Sequence, residues 1–533
     1  MVWRKWLVRV LVFSALGGMG ALGLAYQAWT NPTATRQQVL DTMKDRFSGA
    51  TVSLDSARLR ILGGIAFNDL RLARKDDPEK QDFLYVPAGI LYHDKEHLLD
   101  GKLGGVAIRK MVVQRPRFHI IRDKDGHLNL EGVIGAVNLK ERVPTIVIQQ
   151  GTIVFEDRTL STAVPVVEIK DVSLTIINDP LPTLNIELSG QTDVAGPLHA
   201  SLKFDRASGA TTGAIDLPGI ALADPLIQRV AALAPDLANH LRFLKGNGAL
   251  HTTLDYDPAV APPLRYDATL EVSDGQVTHA RLPLSLEGAA ATVHVVNGQI
   301  PSVHLTAHSG TAKIEITAKD LTLPSNCAAL EELPALETIL REFDLRIEHL
   351  QVTDKLLEQL PDTVKRIDEP YHARGLLTFH HVVQSEAQGK WRKTWHMTAE
   401  GLQASYHQYF DYPIDRITGS LETVLTSDSH IETKVNLVGF TAQQPVHLQG
   451  TLAGEKHFPE IKLEISGENI PLDEKLLAAL QGDNRKLALQ FLPDRSRMPS
   501  PEFQPMGLGD FKAYITREGG QEKCKNRFLI YIH

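Results

Sequence analysis

The chain has 533 residues, and 56 Lys+Arg against 64 Asp+Glu give a formal net charge of −8. Hydrophobic residues at 43% and charged ones at 23% describe a folding chain rather than a disordered one. The mildly acidic balance, without an extended Lys or Arg run, excludes the electrostatic footprint of a nucleic-acid binder. The two cysteines, Cys327 and Cys524, exclude a four-thiolate zinc site and a disulfide framework.

The amino terminus reads as a membrane anchor. Arg4, Lys5 and Arg9 precede a stretch without charge from Val10 to Thr35. Residues 10–29 supply about the ~20 apolar positions a helix needs to cross a bilayer. Trp3, Trp6, Tyr26 and Trp29 flank the run, as interfacial aromatics do. Basic residues on the amino-terminal side alone place residue 1 in the cytosol and the rest of the chain across the membrane. A cleaved signal peptide is the competing reading, with Gly23-Leu24-Ala25 as its cleavage context.

Residues 31–50 follow as a short amphipathic helix. Thr33 or Thr35 is its cap, and Val39, Met43 and Phe47 form one apolar stripe at a spacing of four. Beyond Gly49 the apolar period falls from 3.6 to 2. Val52/Leu54, Ile65/Phe67, Leu184-Asn185-Ile186-Glu187-Leu188, Val303-His304-Leu305 and Ile314-Glu315-Ile316 all alternate apolar with polar residues. Alternation of this kind describes strands with one dry and one wet face. Turn residues such as Asp179-Pro180, Asn297-Gly298 and Ser309-Gly310 punctuate the runs. Such short connections imply an antiparallel meander, since parallel strands need crossovers of about a dozen residues or more.

Self-comparison shows an internal repeat. Asp224-Pro225-Leu226-Ile227, Asp354-Lys355-Leu356-Leu357 and Asp473-Glu474-Lys475-Leu476-Leu477 each open a short helix, at offsets of 130 and 119 residues. A strand resumes after each, near Gly248, Gly375 and Gly509. Leu282-Pro283-Leu284 and Tyr412-Pro413-Ile414 repeat at a similar offset. The chain thus reads as units of about 120–130 residues, each with one helix and about five strands. The expected divisions are 1–30 (cytosolic stub and anchor), 31–50 (helix), 51–140 (first β region), then repeats 141–245, 246–372 and 373–506. Residues 507–533 read as the start of a further, truncated repeat, because Arg527–His533 is an apolar strand with no polar tail after it.

Two motifs invite a catalytic or metal reading. His93-Asp94-Lys95-Glu96-His97 matches H-x-x-E-H, but no long amphipathic helix surrounds it, so a solvated loop is expected. Asp123-Lys124-Asp125-Gly126 resembles half of a calcium loop without its closing Glu, and reads as a hairpin turn. A P-loop, a dinucleotide glycine fingerprint and a G-x-S-x-G elbow are all missing from the sequence. The expectation is a protein without enzymatic activity, cofactor or metal.

Three segments carry a family resemblance. Gly63-Gly64-Ile65-Ala66-Phe67-Asn68-Asp69-Leu70-Arg71-Leu72 resembles the strand near the start of AsmA-like envelope proteins. Residues 115–130, Arg115-Pro116 through Asn129-Leu130, and the strand Val147–Asp157 resemble the segments that follow it in that family. The resemblance covers residues 1–160 and is architectural beyond. It implies a member of the AsmA/TamB group, similar in design to bridge-like lipid transfer proteins: a long antiparallel sheet curled into a groove with an apolar floor. It further implies an inner-membrane, single-pass protein with the bulk of the chain periplasmic. The implied partners are membrane phospholipids and outer-membrane or other envelope proteins, with no nucleic acid.

The expected fold is therefore mainly β, an anchor and amphipathic helix followed by a β-groove of repeats. The expected function is non-enzymatic lipid transfer or outer-membrane biogenesis. The expected groove residues are Leu184, Ile186 and Leu188; Leu202 and Phe204; Leu270 and Val272; Val303 and Leu305; Ile314 and Ile316; and Val435 and Leu437. The alternative is a membrane-tethered structural or adhesion protein of packed β-sandwiches, in which the same residues fill dry cores.

Overall fold

The computed structural model describes residues 31–60, 64–75, 81–93, 108–125, 127–133, 139, 142–159, 165–233, 244–278, 284–322, 335–359, 371–386, 389–406, 410–479, 486 and 507–533. The expected anchor, Asp94–His97 of the H-x-x-E-H pentapeptide, Leu282-Pro283 and Cys327 lie outside them. Among the described residues no helix is long and apolar enough to cross a membrane. The fold is mainly β: among the described residues 24 strands belong to one sheet, with few helices. The chain divides into two compact units, residues 1–235 with 249–268, and residues 236–248 with 269–533.

The first unit begins with helix α1 (Pro32–Arg46). Its cap is Asn31, not Thr33 or Thr35: Thr33 N–H donates to Asn31 Oδ1 at 3.0 Å. Pro32 follows in the first helical position, where a missing N–H costs nothing, and so the helix starts earlier than the threonines suggested. Thr35, Val39 and Met43 are buried along one face, with Phe47 packed at the end of that stripe. Arg36 Nε donates to the Leu54 carbonyl at 2.8 Å and ties the helix to the first strand.

Strands β1 (Ala50–Leu59), β2 (Ile65–Arg74) and β3 (Asp82–His93) form an antiparallel meander in the register Val52↔Leu72 and Leu70↔Val86. Period-2 alternation sends Val52, Leu54, Phe67, Leu70, Leu72 and Val86 into a closed core with Val39 and Met43 of α1. Gly89 is required beneath the Phe67 ring, because a Cβ there would come within 2.3 Å of Phe67 Cζ.

The meander then departs from expectation. Strands β4 (Ile108–Gln114) and β5 (Arg117–Arg122) are interrupted at Arg115-Pro116, and both pair antiparallel with β3. Strand β6 (Thr145–Asp157) runs parallel to both β4 and β5, so the sheet is not antiparallel throughout. The segment between β5 and β6 is long enough for such a crossover, and its Val133 is buried in the core beneath α1. The Asp123 region forms the expected turn: Asp123 N–H donates to the His127 carbonyl at 2.9 Å beside an Arg122↔Leu128 bridge. Strands β7 (Pro165–Ile177), β8 (Thr183–Thr192), β9 (Gly196–Asp205) and β10 (Thr211–Leu222) continue antiparallel, and α2 (Asp224–Leu233) follows.

Strands β11 (Leu244–Tyr256) and β12 (Leu264–Val277) are divided between the units. The second unit continues with β13 (Leu286–Val296), β14 (Gln299–Ser309), β15 (Ala312–Leu321), α3 (Leu336–Ile339), β16 (Glu342–Val352) and α4 (Asp354–Gln359). It goes on through β17 (Gly375–Ser385), β18 (Trp391–Tyr406), β19 (Phe410–Thr426), β20 (His430–Thr441), β21 (Gln444–Glu455), β22 (Glu460–Pro471), α5 (Glu474–Ala479), β23 (Leu508–Arg517) and β24 (Lys525–Ile532). From β13 to β24 each strand pairs antiparallel with the next.

Helices α2, α4 and α5 stand where the repeat markers placed them, and among the described residues six strands rather than five separate each from the next. The aspartates at their starts act differently. Asp473 caps α5, accepting from Leu476 N–H at 2.9 Å. In α4 the cap is Thr353, while Asp354 pairs with Arg374 at the start of β17. Left-handed residues His349, Arg416 and Asn469 sit beside register shifts in β16, β19 and β22, where a bulge bends the strand locally. On β24, Phe528, Ile530, Tyr531 and Ile532 are exposed.

Candidate apolar binding face

In an antiparallel pair without a bulge, directly opposed residues share a face, so the register locates each expected groove residue. In the first unit Leu184, Ile186 and Leu188 oppose Phe204, Leu202 and Ala200. The same rows extend to Ile176 and Leu174 on β7 and to Gly213 and Ile215 on β10. Leu184, Ile186, Leu188, Leu202 and Phe204 are all half-buried. This differs from β1 to β3, where α1 covers the apolar face and Leu72 is 0% exposed. One sheet face therefore starts as a closed core and continues as a half-open aliphatic surface.

The second unit repeats that surface. Val303 opposes Val293 and Ala318, and Leu305 opposes Ala291 and Ile316. Ile314 and Ile316 in turn face Ile347 and Leu345. Farther along, Val435 and Leu437 oppose Leu421 and Gly419 on one side and Gly450 and Leu448 on the other. Leu270, Val303, Leu305, Ile316, Val435 and Leu437 are half-buried, whereas Val272 and Ile314 are buried. Those two are packed positions. Ile314 lies against Ala307 and Ile347, and Val272 beside Gly275, which lacks a side chain.

Sequence reading missed the centre of this face. One row crosses nine strands as Leu305, Ile316, Leu345, His381, Trp395, Thr423, Thr433, Leu452 and Ile461. It is aliphatic at both ends and aromatic or polar in the middle. The His381 and Trp395 rings stack with centroids 5.2 Å apart and planes 6° from parallel. Phe343 meets the imidazole edge-on at 6.0 Å, and Phe379 lies at 6.4 Å. Burial pushes the His381 imidazole below its ordinary value. The only signal in sequence was alternation within Phe379-His380-His381 and Trp395-His396-Met397, which does not say which strands meet.

In the neighbouring row Val383 opposes Lys393, and α3 lies against this place with Ile339 and Leu340 packed on Val383. Lys393 Nζ is 2.8 Å from Glu337 Oε2 of α3. Burial alone would raise the Glu337 carboxyl, but the Lys393 ammonium holds it below the usual range. The helix that neutralises this lysine was not expected from sequence.

The opposite face is polar. Glu315, Arg346, His380, His396, Glu422 and Lys434 follow one another across strands, and His380 Nε2 lies 2.8 Å from Asp344 Oδ1. Among the described residues no three His, Cys, Asp or Glu side chains group as metal ligands. His93 ends β3, opposite Ile108. Cys524 is exposed and free. No family model, no curated protein and no solved structure matches the chain.

Proposed function

We propose that the chain is a non-enzymatic, membrane-anchored envelope protein of the AsmA/TamB type that carries phospholipid acyl chains along the apolar sheet face. The observation that supports this reading is the half-buried aliphatic surface itself. A large apolar surface left partly open serves binding or leads to aggregation, and one that is aliphatic over most of its rows suits acyl chains. The anchor at residues 10–29, the periplasmic placement and the groove-like curl rest on the sequence and on the resemblance of residues 1–160. The polar face would be turned to solvent.

Lipid transfer between donor and acceptor vesicles by the full chain tests the proposal. Ile186→Asp or Leu305→Asp places a carboxylate in the acyl path, which costs several kcal/mol for an unpaired charge in apolar surroundings. Transfer is expected to fall at least tenfold with the melting temperature kept. If both variants unfold and the parent protein moves no lipid, the packed-sandwich alternative stands instead.

A further inference from the structure

We infer that the face around His381 and Trp395 is a selectivity station for neutral lipids carrying a free hydroxyl, of the diacylglycerol class. This rests on the lipid-carrying reading and assigns a ligand chemistry to one place on that face. The row through Leu305 and Leu345 is aliphatic until His381, and becomes aliphatic again at Leu452. A surface built only to slide acyl chains gains nothing from a histidine, an indole and two threonines at its centre, because each polar atom there must be satisfied.

The hydrogen-bonding capacity of the station is specific. His381 Nδ1 lies 3.2 Å from the Thr394 carbonyl, which only accepts, so Nδ1 carries the proton. The neutral ring then presents Nε2 as a bare acceptor. The Trp395 indole N–H is a donor, and neither group has a protein partner among the described residues. Thr423 and Thr433 bond to each other at 3.0 Å, and such a pair keeps one O–H for a further contact. A ligand hydroxyl donates to Nε2, while an ester carbonyl accepts from the indole.

Charge selects the same class. The nearest cation, Lys393, is neutralised by Glu337, so the station offers no net positive charge to a phosphate. The stacked rings, flanked by Phe343 and Phe379, give the glycerol end a flat apolar wall. An anionic phospholipid would bring a charge into this wall without a counter-ion, and a hydroxyl-free lipid would leave Nε2 unpaired.

The experiment uses the full chain loaded from vesicles that contain equal amounts of diazirine-tagged dioleoylglycerol, its methyl ether and dioleoylphosphatidylglycerol. Adducts are mapped by mass spectrometry on residues 379–397 and on residues 303–316. Dioleoylglycerol adducts on 379–397 are expected to exceed those of the methyl ether about tenfold, equivalent to ~1.4 kcal/mol. His381→Phe is expected to abolish that preference and His381→Gln, which keeps an acceptor, to retain part of it. Adducts on 303–316 should stay unchanged in both variants, and hydrogen exchange of β17 reports that the strand still folds. Equal labelling by alcohol and ether, or a preference for the phosphatidylglycerol, overturns the station while leaving the lipid-carrying reading intact. No adduct on either stretch overturns both.

Discussion

Replacing Leu72 and Leu305 by alanine separates a closed core from an open face. Leu72 is 0% exposed beneath α1, paired with Val52 and Leu84, so Leu72→Ala removes buried methyl groups and leaves a cavity. Substitutions of this kind cost about 3–5 kcal/mol. Leu305 has the same chemistry but is half-buried, and its space opens to solvent or ligand. Full burial of a leucine is worth roughly 1.5–3 kcal/mol, so half of it gives ~1 kcal/mol, with no cavity to add. Because the chain has two units, a single unfolding midpoint would mix them, and hydrogen exchange read strand by strand is the suitable assay. Protection of β2 is expected to fall by more than about 100-fold in Leu72→Ala, and that of β14 by about fivefold in Leu305→Ala. Comparable losses in the two variants would mean that Leu305 is packed as tightly as Leu72, and the open-face argument would fail.

Three further outcomes follow from the same geometry. Gly89→Ala forces the Phe67 ring aside and should cost about 1–3 kcal/mol, read as lost protection in β2 and β3. Asn31→Ala removes the α1 cap and should weaken the first turn of that helix by about 1 kcal/mol, seen as faster exchange at Thr33–Arg36. The lowered pKa of His381 means that the unfolded chain binds a proton before the folded one does. Its contribution to stability is therefore complete above the ordinary imidazole pKa and is lost as pH falls from there towards the folded value. Lys393 and His380 oppose protonation of this ring and Asp344 favours it, so the difference in melting temperature between the parent and His381→Phe should shrink on acidification through that window. A constant difference would contradict the shift.

Much of the architecture was legible because it is local. Alternation at Leu184–Leu188 and Val303–Leu305 names a strand and its apolar face without knowledge of its neighbour. The helices at Asp224, Asp354 and Glu474 could be read because their start signals recur at nearly constant spacing. Non-local features were hidden. The parallel docking of β6 depends on where the crossover packs Val133, and the turn at Asp123 looks the same in either topology. Helix α3 has only four residues, too few for any period to show. The His381–Trp395 stack exists only because β17 and β18 pair in that register, and a slip by one residue would have put His380 there instead. Burial was equally unreadable: Ile314 and Ile316 look alike in sequence, yet only the first is buried.

The claim that one sheet face carries lipid is tested most directly by site-specific photocrosslinking at successive positions of a single strand. A photoreactive residue is placed in turn at Val303, His304, Leu305 and Thr306 in the full chain held in phospholipid membranes. Val303 and Leu305 share the apolar face, while His304 and Thr306 point to the other. Lipid adducts are expected at 303 and 305 and not at 304 and 306, repeating at Ile186 against Glu187 in the first unit. Adducts at all positions alike, or at none while the strand remains protected from exchange, would contradict the account.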